Sequence, residues 1–377
     1  QPHLHDEAWR NCRASLLFAA VPGSTAAPCG NMRPMALLLI GIDEAGYGPT
    51  LGPLCVGMSA FVIEDWNEGD EKPCLWKKLS GGACRKPGDK RGRVAFADSK
   101  ELKLPNNFCE GAAKKHPLRH LERGVLAAIA NFAEAGAPQS DSDLHGVLGA
   151  ELRGHPWYEG DPVGLPIAGS AALMGIAGNL LANAMTGAGV RIAAMRCRVM
   201  NEREFNGILH KAGNKGEVCI AALADHLKFV LALLEKHPEA AVRIACDKLG
   251  GRDNYAPVLE RLMPGWECVI LEQGAERSNY EMRRKNQRGS TDPGPQGKGF
   301  RISFQPESEK EHLPVALASM IAKYVRELAM HRFNRYWSAR MPELKPTAGY
   351  TLDARRWLAD AAPVLTREEK AAMVRRA

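Results

Sequence analysis

The sequence lacks paired cysteines, internal repeats and metal-spaced histidines, which argues against several common kinds of site. Its ten cysteines are scattered without a single C-x-x-C spacing, so reduced thiols are expected in place of disulfides or a zinc module. Its eleven histidines form no metal-spaced pair with carboxylates, so none is expected to be a metal ligand. These absences favour a cytoplasmic protein whose chemistry rests on other side chains.

A convincing membrane span is also missing. Residues 162–190 carry no charge, but they are rich in glycine and alanine and include Asn179 and Asn183. A transmembrane helix needs about 20 predominantly apolar residues. A packed core helix is therefore the better interpretation, and no membrane partner is expected.

The first 34 residues carry only a weak targeting pattern. Arg10 and Arg13 precede the apolar residues 14–21, which faintly resembles a signal peptide. Met32 and Met35 stand shortly before the first predicted strand. We therefore interpret residues 1–34 as an extension ahead of the true start and expect them to be disordered.

Charge is only slightly unbalanced. The 50 lysines and arginines exceed the 43 aspartates and glutamates, a formal net charge of +7 that fits a polyanionic ligand and equally an ordinary basic surface. Eight of the basic residues lie among glycines in residues 71–93. This pattern is typical of a solvated excursion or of an arm that contacts phosphates, and the sequence leaves both open.

Strand and helix patterns alternate along the chain and predict an α/β fold with a mixed sheet. Strands are predicted at 36–40, at its antiparallel hairpin partner 54–63, and at 190–200, 242–247, 268–271 and 300–304. Helical spacing marks 118–132 and 217–236. Residues 279–299 combine basic and turn-forming residues without an apolar period, so a mobile loop is expected there.

Two adjacent acids, Asp43 and Glu44, end the first predicted strand. A buried strand that ends in a carboxylate pair is costly without cations, so the pair indicates a divalent metal site. Gly46 and Gly48 follow directly and let backbone amides approach a ligand closely. The same loop could therefore hold a phosphate beside the metal.

A third carboxylate, Asp247, ends another predicted strand, and neighbouring strands could bring it beside the acid pair. Carboxylate oxygens suit Mg²⁺ or Mn²⁺, and hydrolysis of a phosphodiester by two divalent ions needs several carboxylates that converge. The alternative is a strand-end aspartate that only caps the turn into the next helix.

Five segments, in order along the chain, resemble the ribonuclease HII family. Its opening Asp-Glu-Ala-Gly-Arg-Gly-Pro differs from residues 43–49 only at Tyr47. The other four segments are Asp98-Ser99-Lys100, the strand 242–247, Leu317-Ala318-Ser319-Met320-Ile321-Ala322-Lys323 and Gly349-Tyr350-Thr351. The resemblance implies a ribonuclease H-like mixed sheet flanked by helices over residues 35–305. It also implies a C-terminal helical part, 306–377, and a helical insertion near 104–166, a region longer than the family's.

The resemblance also implies a fourth carboxylate just ahead of the helix that contains residues 317–323. Counting back from Val315 gives Glu309, where the family usually has aspartate, while Glu307 and Glu311 stand nearby as rivals. All three glutamates could instead form the acidic first turn of a helix that starts near Glu311.

Contacts to substrate are implied outside the carboxylates. Gly46 and Gly48 keep the backbone that recognises a ribose 2′-hydroxyl in the family. Tyr47 stands in place of an arginine that faces phosphate, so a weaker grip on phosphate is expected. Tyr350 corresponds to the tyrosine that stacks on the sugar, with ordinary loop packing as its alternative. The remaining implied contacts are Ser99, Lys100 and Lys323. For the two lysines, a solvent-exposed position without a role is the alternative.

The function implied by the resemblance is a metal-dependent endonuclease with RNA–DNA hybrid as its substrate. It would hydrolyse the RNA strand, including ribonucleotides embedded in DNA, and leave 3′-hydroxyl and 5′-phosphate ends. Asp43, Glu44, Asp247 and Glu309 would be catalytic and would bind two Mg²⁺ or Mn²⁺ ions, in a cytoplasmic monomer that serves DNA replication. One alternative is a weakly active or inactive relative that binds hybrid or structured RNA. Another is a nuclease of the same fold with a different substrate.

Overall fold

A computed structural model describes residues 35–67, 70–105, 116–132, 136–249, 251–285 and 299–376. The strands are β1 (Met35–Ala45), β2 (Leu54–Trp66), β3 (Ala83–Cys84), β4 (Val94–Ala95), β5 (Val190–Met200), β6 (Ala241–Asp247), β7 (Trp266–Gln273), β8 (Ser278–Arg284) and β9 (Phe300–Gln305). The helices are α1 (Leu75–Lys78), α2 (Ser99–Leu102), α3 (Arg119–Ile129), α4 (Asp141–Leu148), α5 (Ala171–Gly187), α6 (Glu202–Ala212), α7 (Gly216–Lys236), α8 (Ala256–Leu262), α9 (Leu313–Arg340), α10 (Thr351–Asp360) and α11 (Arg367–Met373). Short 3₁₀ turns lie at Pro156–Tyr158 and Ser308–Lys310.

Seven strands form one mixed sheet in the order β5-β2-β1-β6-β9-β8-β7. β2 runs antiparallel to β1 and to β5, whereas β6 runs parallel to β1 and to β9. β8 is antiparallel to its neighbours β7 and β9. The predicted α/β class, with a mixed sheet flanked by helices and a hairpin at its first two strands, is confirmed.

The long helix α9 lies directly on β1 and β2, and two glycines make this close approach possible. A Cβ atom at Gly41 would lie 2.1 Å from the carbonyl carbon of Pro314, and one at Gly57 would lie 2.1 Å from the carbonyl oxygen of Ala318. The opposite face of the same strands packs on α7 in a second apolar cluster. The first two strands are therefore buried on both faces, which explains their continuous hydrophobic runs.

Two predicted segments differ from the structure. Within the expected loop 279–299, the first six residues belong to β8, because Tyr280 and Met282 alternate inward and pair with β9. Residues 286–298 lie outside the described part of the chain. In the uncharged segment 162–190 the helix begins only at Ala171, and Leu173 and Ile176 face solvent, so it is not a wholly buried core helix.

The region 104–166 contains two helices, α3 and α4, where it is described. α3 contributes Leu121, Val125 and Ile129 to the apolar cluster that also holds α9. Residues 1–34, expected to be disordered, lie outside the described residues, as do 106–115 and 133–135. No described helix has both the length and the apolar character that crossing a membrane requires.

Candidate active site

Two adjacent parallel strands bring the three predicted carboxylates together. Ile42 pairs with Cys246 between β1 and β6, so Asp43 and Asp247 follow at the same level of the sheet. One carboxylate oxygen from each of Asp43, Glu44 and Asp247 lies within 4.8 Å of the others. All-oxygen donors at the rim of a sheet are the chemistry that Mg²⁺ and Mn²⁺ prefer.

These acids are buried at an electrostatic cost. Burial raises the pKa of Asp43 well above its usual range, and the charges of Glu44 and Asp247 raise it further. Burial, followed by the charge of Asp247, raises the pKa of Glu44 to about 7. The Oε2 atom of Glu44 is buried without a hydrogen-bond partner among the described residues. A divalent cation would relieve both the repulsion and the missing partner, so the residues fit a metal.

Glu309 is the buried member of the three candidate glutamates. It lies in the 3₁₀ turn ahead of α9 and is 6% exposed. Burial is the main cause of its raised pKa, and the nearby charge of Asp247 adds to the rise. The same turn reaches the cluster through the backbone N–H of Ser308, which donates to Oδ1 of Asp247 at 3.4 Å.

The two rival glutamates are engaged elsewhere. Glu307 is exposed and pairs with Lys310 at 2.6 Å, while Glu311 lies 3.7 Å from Arg277. The alternative of an acidic first helical turn is not found, because α9 begins only at Leu313. The geometry therefore favours Glu309 over its neighbours, although the set of oxygens within 4.8 Å contains only the other three acids.

The Asp-Ser-Lys segment forms the start of α2 and supports the cluster from the side. Asp98 caps the helix by accepting a hydrogen bond from the backbone N–H of Lys100 at 2.9 Å. Ser99 is buried, and its hydroxyl lies 3.0 Å from that of Ser319 on α9. Ser319 also lies close enough to Asp43 to lower the pKa of that carboxyl against the effect of burial. Ser99 therefore positions a neighbour of the cluster, while its own hydroxyl is buried.

Lys100 is the cation whose charge acts on the acids. Its side chain is exposed, and its charge lowers the pKa values of Glu44, Asp247 and Glu309 against the upward effect of burial. The sequence prediction singled out this lysine. It missed Ser319 as a neighbour of the carboxylates, although the serine shares a helix face with Lys323, four residues later.

Two buried arginines hold residues 46–53, the glycine loop, from behind. Arg326 donates to the carbonyl oxygens of Pro53 at 2.6 Å and Leu51 at 3.0 Å. Arg375 donates to the carbonyl oxygens of Tyr47 at 2.8 Å and Gly46. Gly46 adopts φ +94°, a conformation that disfavours any side chain. The loop conformation thus depends on two cations that sequence analysis did not identify.

The predicted tyrosine loop docks on the glycine loop. The carbonyl oxygen of Gly349 accepts hydrogen bonds from the backbone N–H groups of Thr50 at 2.9 Å and Leu51 at 3.1 Å. Tyr350 follows with its ring half exposed, and its hydroxyl lies 3.4 Å from Nζ of Lys323. Lys323 also forms an ion pair with Glu327 at 2.7 Å. This lysine is buried in the helix and does not reach solvent freely.

Tyr47 and Gly48 differ in exposure. The ring of Tyr47 packs partly on the apolar cluster beneath the glycine loop, with Nζ of Lys215 at 5.2 Å from its centroid. Gly48 is exposed, and a Cβ there would meet no atom within 4 Å. The position expected to face phosphate therefore turns partly inward, and the exposed backbone beside it is the accessible part of the loop.

No protein-family model and no curated protein matches the chain in sequence. The structural neighbours are ribonucleases HII and HIII. The ribonuclease HII of Archaeoglobus fulgidus, solved in complex with PCNA, is 12% identical with a TM-score of 0.38, over 90% of this chain and 94% of that chain. The ribonuclease H2 of Pyrococcus horikoshii OT3 is 14% identical with a TM-score of 0.34, over 86% of each chain.

A third neighbour is the Bst ribonuclease HIII solved in complex with Mn²⁺. It is 14% identical with a TM-score of 0.41, over 91% of this chain and 67% of that chain. Ribonuclease HII is the family that the five sequence segments resemble. At these identities and TM-scores the likeness carries no argument about chemistry, which rests on the residues described above.

Proposed function

We propose that the chain is a divalent-metal-dependent ribonuclease that hydrolyses the RNA strand of RNA–DNA hybrids, including ribonucleotides embedded in DNA. The products would carry 3′-hydroxyl and 5′-phosphate ends. The observation that carries the proposal is the cluster of Asp43, Glu44 and Asp247 at the ends of two adjacent strands, with a buried Glu44 oxygen that has no hydrogen-bond partner in the described part of the chain. A protein that bound its partner without a cation would have no compensation for the cost of clustering these carboxylates.

The carboxylates would hold the ions, and the chain's other residues would orient them. Bound Mg²⁺ or Mn²⁺ would supply Lewis acidity and positive charge at the scissile phosphate. Ser319 lies beside the carboxylate of Asp43, and Glu309 would add a fourth acid from the 3₁₀ turn. Lys100 places a positive charge near the acids, which favours approach of a phosphate.

The glycine loop and Tyr350 would select the substrate. Because Arg326 and Arg375 bind the inner carbonyl oxygens, the loop presents a fixed backbone at the end of β1. The exposed Gly48 lets a ribose approach that backbone closely. The half-exposed ring of Tyr350 offers a flat face on which a sugar or base can stack.

A second candidate is a protein that binds hybrid but hardly cuts it. Tyr47 favours this candidate. The family arginine expected at this position is absent, and the ring, which packs partly inward, brings no positive charge to the phosphate. The two candidates predict the same binding and different turnover.

Purified protein incubated with a duplex that carries one ribonucleotide, and with a longer hybrid, tests the proposal. We expect cleavage with Mg²⁺ or Mn²⁺ and none with a chelator. The Asp247→Asn variant should bind but not cut. Asp65→Asn is the matched control, since Asp65 is exposed at the far end of β2 and its φ of 55° suits asparagine. Binding without cleavage by the unmodified chain favours the second candidate, and neither binding nor cleavage overturns both.

A further inference from the structure

The polar face of β6 and β9 is open beside the carboxylates. Arg243 and Asp247 point to the same face of β6, because side chains alternate along a strand. The register places Arg301 and Gln305 of β9 beside them. A cavity of about 340 Å³ lies over this face. The residues lining it include Lys72, Arg243, Arg277, Arg301 and His312, here called the basic groove.

The basic groove adjoins the candidate active site. Gln305 lines the cavity and pairs in register with Asp247. His312 also lines it and lies three residues after Glu309. At the other end, Arg243 precedes Asp247 by four residues, which is about 13 Å along a strand. The groove therefore lies on the face of the sheet to which Asp247 points, next to the carboxylates.

Positive charge dominates the groove. Four lysines and arginines line the cavity, against one carboxylate, that of Glu311. Two of these cations form long ion pairs: Arg277 lies 3.7 Å from Glu311, and Arg301 lies 3.6 Å from Glu281. An excess of cations over carboxylates among the described lining residues attracts a polyanion.

Lys72 shows that the groove is more than a solvated strand face. It comes from the segment between β2 and α1, and its Nζ lies 2.9 Å from Nδ1 of His312. Burial and then the charge of Arg243 lower the pKa of Lys72 to about 8, so the ammonium is largely kept at neutral pH. A polar face on one side of a sheet is ordinary, but here a lysine from a distant segment extends over it, contacts His312 and adds its charge to that of Arg243.

We propose that the basic groove binds phosphates of the nucleic-acid strand that passes through the carboxylate cluster, a few nucleotides beyond the scissile bond. This inference rests on the proposed function. One strand of a duplex advances about 3.4 Å per nucleotide, so the far end of the groove meets the strand about four nucleotides from the carboxylates. The basic segment that contains Lys72 then acts as a phosphate-contacting arm through this residue.

Salt-dependent affinity tests the groove without relying on catalysis. Hybrid binding is measured with a chelator present, so that no strand is cut, for the unmodified chain and for an Arg277→Gln/Arg301→Gln variant. Both side chains are about half exposed, at 46% and 54%, so the variant should fold. Losing two phosphate contacts should make the slope of log affinity against log salt shallower by about 1.8.

The matched control removes two charges from the opposite face of the sheet. Lys228 and Lys236 are exposed on α7, and the Lys228→Gln/Lys236→Gln variant should keep the unmodified slope. A short hybrid that covers only the carboxylates should bind the groove variant and the unmodified chain equally. Should a thermal melt show that the double variant is unstable, Arg301→Gln alone should lower the slope by about 0.9.

The outcomes separate this inference from the proposed function. Cleavage by the unmodified chain together with equal slopes for the groove variant overturns the groove and leaves the nuclease standing. A shallower slope without any cleavage supports the groove and removes the catalytic half of the proposed function. No hybrid binding by the unmodified chain overturns both, and the groove would then belong to another anionic partner.

Discussion

The two halves of the sheet differ in how many faces they bury. Every residue of β2 from Leu54 to Ile63 is buried, because α9 covers one face and α7 the other. In β8 and β9, buried and more accessible residues alternate, because only one face packs on the core. The carboxylates lie where the halves meet. The covered half, which includes β1 and β2, removes water from them. The open half, which includes β8 and β9, leaves them accessible to a polar ligand.

The largest expected effect comes from Asp43, the carboxylate on the covered side. Asp43→Asn should lower cleavage about a thousandfold, the upper scale for losing a directly acting electrostatic group. Its thermal stability should be equal or higher, because the neutral amide removes a buried charge that two neighbouring acids repel. Single-turnover cleavage and a melting curve measure the two effects. Retention of more than a few per cent of activity would remove Asp43 from the metal site.

The next effect distinguishes the three glutamates at the boundary between the halves. Glu309→Gln should lower turnover about a hundredfold, because Glu309 is buried beside the cluster. Glu307→Gln and Glu311→Gln should change it only several-fold, since their carboxylates pair with Lys310 and Arg277. The three variants, compared at saturating metal, serve as controls for one another. If Glu311→Gln is the crippling change, the assignment of the fourth acid is wrong.

A pair of glycines compares the packing of the two halves directly. Gly41→Ala on the covered half should lower the free energy of unfolding by about 3 kcal/mol, since its Cβ would clash with the backbone of Pro314 at 2.1 Å. Gly274→Ala, between the open strands β7 and β8, should change it by less than about 0.5 kcal/mol. There the nearest atom is the carbonyl oxygen of Arg277 at 3.6 Å. If denaturant titrations give equal losses in the free energy of unfolding for the two variants, α9 does not pack closely on Gly41.

The smallest effect is a pH dependence of stability. Burial raises the pKa of Glu44 from its ordinary 4.5 to about 7. At this group the folded protein then binds more protons than the unfolded chain within this window, so the contribution of Glu44 to stability without metal falls as pH rises through it. Because ions bind the ionised carboxylates, Mn²⁺ should raise Tm more near pH 8 than near pH 5, roughly the ends of the window.

The metal-dependent difference in Tm is the informative measurement. Burial also raises the pKa of Glu202 to about 7 and lowers the pKa of His226 to about 4, so the slope without metal has several sources of opposite sign. An equal increase in Tm at both pH values would contradict a site made of buried acids. The Asp43→Asn variant, which lacks one ligand, provides the reference for ions bound elsewhere.

Sequence reasoning found the covered half more readily than the open half. Strands buried on both faces give uninterrupted apolar runs, so β1, β2 and the acids at the end of β1 could be located. In β8, the inward residues Tyr280 and Met282 alternate with polar and charged ones. That alternation is short and was hidden by basic neighbours, so residues 279–284 were wrongly expected to be a loop.

The residues that support the site could not be predicted from the sequence, for a different reason. Glu309 was placed by spacing within one segment, and the structure buries it beside the cluster. The hydrogen bonds of Arg326 to Leu51 and Pro53 join positions roughly 275 residues apart, and the effect of Ser319 on the pKa of Asp43 spans a similar separation. A lone serine or arginine in a helix has no local pattern that reveals such a partner. Only the packing of α9 on the first hairpin creates these contacts.

The anchoring of the glycine loop by Arg375 sets an order of events during synthesis. The guanidinium that binds the carbonyl oxygens of Gly46 and Tyr47 is translated 329 residues after Gly46. At about 5–20 residues per second, a ribosome needs tens of seconds to cover that distance. The sheet can assemble while the loop still lacks this anchor. The nascent chain should therefore acquire its carboxylate cluster before it acquires a fixed loop, and a substrate would be recognised only after Arg375 has been translated.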